Sequence, residues 1–127
     1  MKNLTLFLIL ALFTCAVQSQ TLTENEITGT WQVVDVVEVG TKPKQAKEMV
    51  ASYIDILPDH SFQIRMRNIA SKKFENKFDG YKWNYNTSSQ TIELSKGDMS
   101  IKPSKSNGKM YFEIPETGMK LEVVMPI

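Results

Sequence analysis

Few side chains in this sequence are equipped to make or break a covalent bond. His60 is the single histidine among 127 residues, so neither a Ser-His-Asp or Cys-His relay nor a multi-histidine metal centre can be assembled. It falls in the turn signal Pro58-Asp59-His60, where an exposed ring is expected. Carboxylates are the other candidates for acid and base work: Asp35, Asp55, Glu75, Asp79 and Glu93 could meet in space. A glycosidase-like pair needs two of them facing one cleft about 5–10 Å apart, and most alternate with apolar neighbours as solvent-facing positions do. The six glycines are scattered and build no phosphate-cradling loop. The basic spot Lys72-Lys73 reads as an ordinary strand start. No catalytic residue, metal ligand or cofactor is expected.

Recognition chemistry has better material. Phe74, Phe78, Tyr81, Trp83 and Tyr85, with Met66, Met99 and Met110, combine adaptable thioethers with amphipathic rings, the side chains of an apolar pocket with a few polar handles. Met66, Phe74, Phe78, Tyr81, Trp83, Tyr85 and Met110 are accordingly the candidate ligand-lining set. Core packing competes with that reading, because small barrels are usually filled by their own side chains.

The elements that must position these residues are strands. From Asn86 onward turn signals recur about every ten residues, the spacing of a meander. Between turns the period is two: Phe62, Ile64 and Met66 alternate with Gln63, Arg65 and Arg67, and Phe74 and Phe78 with Lys73, Glu75 and Lys77. Tyr81, Trp83 and Tyr85 share a face, as do Met110, Phe112 and Ile114, then Met119, Leu121, Val123 and Met125. Strands are predicted over 30–39, 53–57, 61–67, 73–79, 81–85, 91–95, 99–102, 109–114 and 119–124. They number eight or nine, depending on whether the segments flanking Gly80 form one bent strand. In the first, Asp35 shares a nominal face with Trp31, Val33 and Val37, and a bulge turning it outward is the cheaper arrangement. Ala46, Met49, Val50 and Tyr53 follow helical spacing behind Pro43 and predict a single short helix after the first strand. Half-buried strands in this number hide their apolar face best by closing on themselves. The predicted fold is therefore all-β, an antiparallel up-and-down barrel.

The N-terminus has the three-part layout of a secretory leader: Lys2, an apolar run over 4–13, then small and polar residues to Ser19. Cleavage is expected after Ser19, leaving a lead-in at 20–26 and the domain at 27–127. Cys15 supports an alternative, a lipoprotein anchored through that cysteine, since Leu12-Phe13-Thr14-Cys15 has a lipobox outline. The apolar run is too short to remain as a membrane span, which takes about 20 residues. With Lys2 removed, basic and acidic residues balance, so nucleic acid is not an expected partner.

Ile27-Thr28-Gly29-Thr30-Trp31 resembles the opening of a lipocalin, where Gly-x-Trp starts the first strand and the Trp closes the barrel base. With Leu57-Pro58-Asp59-His60-Ser61-Phe62 and Gly80-Tyr81-Lys82-Trp83 following, the chain resembles the small bacterial lipocalin-like domains along nearly all of its predicted mature length. The arginine that larger lipocalins stack on that Trp has no counterpart, the arginines here being Arg65 and Arg67. The resemblance implies Gly29 and Trp31 as base residues. Together, these readings lead to the expectation of an exported, periplasmic or secreted, non-enzymatic protein holding a small lipophilic or aromatic ligand in the barrel mouth. The alternative is a filled barrel that contacts an envelope protein.

Overall fold

Residue-by-residue alternation continues through most of the chain, and the computed structural model resolves it into a closed antiparallel barrel. It describes residues 21–67, 71–96 and 99–126; the leader, its cleavage point and Cys15 lie outside the described residues. The order is α1 (Glu24–Ile27), β1 (Gly29–Glu38), α2 (Pro43–Glu48), β2 (Tyr53–Ile56), β3 (Ser61–Arg67), β4 (Phe74–Asn86), β5 (Thr91–Leu94), β6 (Ser100–Ser106), β7 (Lys109–Ile114) and β8 (Met119–Val124). Each strand pairs with its sequence neighbour, and β8 returns to β1, with Val33 opposite Val123 and Val36 opposite Leu121. Closure gives every strand a partner on each side over at least part of its length.

Side chains fill the interior. Phe62, Phe112, Ile54, Ile56, Ile64, Ile92, Ile101 and Leu121 are all under 2% exposed, as are Leu22 and Ile27 from the N-terminal segment. That segment corrects the expectation of a single helix. Thr23 caps α1, its hydroxyl accepting from the Glu26 amide while the Glu26 carboxylate accepts from the Thr23 amide at 3.0 Å. Such a box satisfies two donors that a helix start otherwise leaves bare. The 43–53 stripe also shortens: α2 ends at Glu48 and buries Ala46, with Met49 buried just beyond it, while Val50 is exposed and Tyr53 opens β2.

Several irregularities reshape the faces. The ladder slips between Val33 and Asp35, which leaves Asp35 exposed with its carboxylate accepting from the Val36 amide at 2.9 Å. The segments around Gly80 form one 13-residue strand. Across from Gln63, between the Ile64–Lys77 and Phe62–Tyr81 pairs, β4 inserts Phe78, Asp79 and Gly80, with Phe78 at φ +64° and Gly80 at +81°. Three residues against one add two, so the odd-numbered positions keep the same face across the bulge and the even-numbered Phe74 takes the outward one. Phe74 pairs with Arg67 and is 48% exposed on the outer surface, whereas Glu75 and Lys77 stand opposite Met66 and Ile64. β6 outruns its predicted end at 102, continuing through a buried Pro103 opposite Phe112.

Gly40 joins two loops at the end of the barrel away from α1. Its φ is +69°, and a β-carbon there would sit 2.1 Å from the Thr117 carbonyl oxygen, which accepts from the Thr41 amide at 2.8 Å. Gly40→Ala is expected to cost about 2 kcal/mol, from overpacking and a left-handed backbone that alanine tolerates poorly. Urea unfolding would measure it, and a neutral result would mean that the two loops separate freely.

Candidate functional site

The antiparallel path gives the barrel two unlike ends. At the base, α1 covers the opening: the Trp31 indole donates to the Ile27 carbonyl at 2.9 Å, and the ring meets Phe112 edge-on at 5.5 Å. Gly29 starts β1 with φ +142°, and a β-carbon on it would come within 2.7 Å of the Met125 methyl. The opposite end, the mouth, gathers the β1–β2, β3–β4, β5–β6 and β7–β8 connections and is partly covered by α2.

The candidate lining set separates along this axis. Met66, Phe78 and Tyr81 are half-buried against the core, as are Leu94 and Met99, with Phe78 and Tyr81 in contact and Met66 further along β3 opposite Glu75. Phe78 meets the Phe62 ring at 6.1 Å and the Tyr81 ring at 5.2 Å, both edge-on, and the Lys96 ammonium lies 5.7 Å from the Tyr81 ring centre. A bulky side chain at positive φ is costly and persists only where its surroundings hold it. Here the two ring contacts hold it.

Trp83 and Tyr85 take another role. Trp83 is 3% exposed and donates its indole proton to the Leu57 carbonyl at 2.8 Å. Tyr85 donates to the Leu22 carbonyl at 2.9 Å, tying the N-terminal segment across the base. Burial, then the nearby Glu26 charge, pushes the Tyr85 phenol pKa up, so it stays a neutral donor. Both polar handles thus serve the fold. Phe74 lies on the outer surface, its ring 5.6 Å from that of Tyr53. Met110 belongs to the base, where it lines a 490 Å³ hollow with Trp31, Val123, Met125, Lys105 and Lys109.

The wall opens near the mouth set. Phe74 to Lys77, then Tyr81 and Lys82, pair with β3, whereas the β4–β5 ladder begins at Trp83 opposite Leu94, with Lys82 and Ser95 bonded just beyond, and β5 and β6 share two residue pairs. Past Ser95 the described part of β4 runs without a strand on its second side. Phe78 and Tyr81 lie on that stretch of β4, Leu94 ends β5 and Met99 precedes β6.

The potentially reactive groups are dispersed. His60 is exposed, stacks on Trp83 at 4.6 Å, and its Nδ1 lies 2.9 Å from the Trp83 carbonyl, a contact that requires the proton on Nδ1. Asp55 departs from the expected solvent-facing role: it is 3% exposed, although its strand position points it outward. It accepts from Thr30 at 2.8 Å, Gln63 at 2.8 Å, and Arg65 at 2.9 and 3.1 Å. Burial works against its charge, but those donors and the Arg65 charge outweigh it and hold the carboxyl below the usual aspartate pKa. Arg65, expected on a plain solvent face, is thus the lid of this group, with its guanidinium 4.8 Å from the Tyr53 ring centre. Glu75 lies near Lys77, and Glu93 accepts from Asn86. Among the described residues no three His, Cys, Asp or Glu side chains converge, no buried side-chain polar atom lacks a partner, and no helix is long and apolar enough to cross a membrane. No family model, curated protein or solved structure matches the chain.

Proposed function

We propose that this protein is an exported, non-enzymatic binding barrel that takes a small lipophilic or aromatic molecule against Met66, Phe78, Tyr81, Leu94 and Met99. One observation carries the reading: these apolar side chains are only half-buried against the core, and the β4–β5 ladder stops at Trp83 without reaching the earlier part of β4. Covering them with ligand supplies about 2.5 kcal/mol per 100 Å² of apolar surface removed from water. The Tyr81 hydroxyl, which hydrogen-bonds to no described residue, and the Lys96 ammonium beside its ring are the polar handles. The resemblance to lipocalin-like domains supports a carrier role, although such a fold hosts many functions. A filled barrel contacting a partner protein is the second reading, favoured by the internal use of the Trp83 and Tyr85 handles.

Native mass spectrometry after gentle purification is expected to show a co-purifying small mass. A ligand from a fatty-acid and aromatic panel at a hundredfold excess over its Kd should stabilise the fold by about 2.7 kcal/mol. Tyr81→Ala should weaken binding at least tenfold through lost ring contact and hydroxyl. An empty protein with no thermal shift across the panel would sink the ligand proposal. The same spectra read the N-terminus: a start at Gln20 supports export with cleavage, and a lipid-modified Cys15 supports the anchored form. An intact Met1 would overturn export.

A further inference from the structure

A net charge of only +1 conceals a lopsided distribution of charge. Lys42, Lys44 and Lys47 stand on α2 and its lead-in, Arg67 ends β3, and Lys72 and Lys73 precede β4; all six are exposed, with Glu48 the acid among them. The two groups are distant in sequence and meet in space. Lys47, Arg67 and Lys72 line one shallow hollow of 300 Å³ with Glu48, Val50 and Ala51, three cations against one acid, and none of the three is ion-paired with a described carboxylate. Two lining residues hold left-handed backbone, Ala51 at φ +71° and Lys72 at +58°. Beside the cations, apolar side chains protrude: Val50 is 43% exposed, and Phe74, opposite Arg67 in the ladder, 48%.

We propose that this corner is a docking surface for an anionic lipid bilayer. Six cations on flexible stems spread around two protruding apolar groups do not converge on one small anion. A sheet of anionic headgroups satisfies them together, at about a fivefold gain in binding per cation near the surface, while Phe74 and Val50 enter the acyl boundary as the apolar face of an interfacial helix does. The corner lies at the mouth end, so docking brings the gap in the wall to the bilayer. The proposal stands on charge and exposure whether or not the barrel carries a ligand.

The test is co-sedimentation of the protein, as recovered from the cells that make it, with vesicles of phosphatidylcholine alone or mixed with phosphatidylglycerol. Binding is expected to the anionic vesicles and to fall steeply as salt rises to about 0.5 M, where screening shortens to a few ångströms. Lys47→Gln, Arg67→Gln and Lys72→Gln together should lower it about a hundredfold, and Phe74→Ser should weaken it while leaving its salt dependence intact. The wild-type salt titration decides the matter if the triple variant folds poorly. Equal binding to both vesicle types, no binding to either, or capture by polyglutamate in place of vesicles would overturn the proposal, the last assigning the corner to an acidic protein.

Discussion

Phe112→Ala is expected to remove about 3–5 kcal/mol of stability, the largest loss for any single truncation discussed here. Phe112 is 0% exposed, stands between Pro103 and Leu121 in the ladders, and receives the edge of Trp31 at 5.5 Å. A cavity costs most where the surroundings cannot collapse into it. Around Phe112 the wall is paired on both sides, β7 with β6 and with β8, so collapse is restricted. Against a total stability of about 5–15 kcal/mol, the variant would be marginal at body temperature. Urea unfolding followed by circular dichroism checks it: the midpoint should fall with little change in slope. A loss under about 1.5 kcal/mol would show that the interior around Phe112 repacks freely.

Arg65→Ala is expected to cost about 2–3 kcal/mol and to change how stability responds to acid. Removing one partner of a buried ion pair costs about 3–5 kcal/mol; the Arg65 side chain is still 36% exposed, so solvent screening reduces the figure. The pH signature distinguishes this from lost packing. Asp55 titrates below its ordinary value in the fold, so its stabilisation is complete above the unfolded pKa of about 3.9 and disappears as pH falls through the folded value. In the variant the principal donor is gone while burial remains, so the folded pKa rises and the acid-dependent loss shrinks or changes sign. Stability profiles of the two proteins from pH 2 to 7 should therefore converge towards the acid end. Parallel profiles would mean that Arg65 acts through its aliphatic stem over Tyr53 instead.

Both predictions rest on features that the sequence exposes unequally. Strict alternation made the inward set readable: Phe62, Ile64, Trp83, Tyr85, Phe112, Leu121 and Val123 face the core as their spacing requires. Hydropathy misleads ahead of the Gly80 bulge: Phe74 alternates with Lys73, Glu75 and Lys77 and so reads as inward, yet the register places it outside and sets Glu75 and Lys77 opposite Met66 and Ile64. Alternation puts Asp55 on the outward side of its strand and so predicts exposure, but Thr30 and Gln63 on flanking strands and Arg65 cover it. Those neighbours are set by register, which no single strand reveals. The α1 cap was present as Thr23-Glu24-Asn25-Glu26, and four helical residues are too few to produce a periodic signal. For the mouth, Met66, Phe78 and Tyr81 were legible as apolar, whereas Leu94 joined them only once the strands had been set side by side. The basic corner was invisible, since α2 and the end of β3 are brought together by the chain's path.

The join between β1 and β8 bears on the order of events during synthesis. The first strand made waits for the last, because its second ladder partner spans Lys120 to Val124. A growing chain can assemble hairpins one after another, yet it cannot finish the ring until nearly every residue has emerged. Such long-range pairing belongs to the slow class, milliseconds to seconds, and until then β1 presents an unpaired edge liable to stray association. The export proposed above would require a chain that stays loose while it is threaded through a narrow channel, and for this topology the delay is built into the wiring.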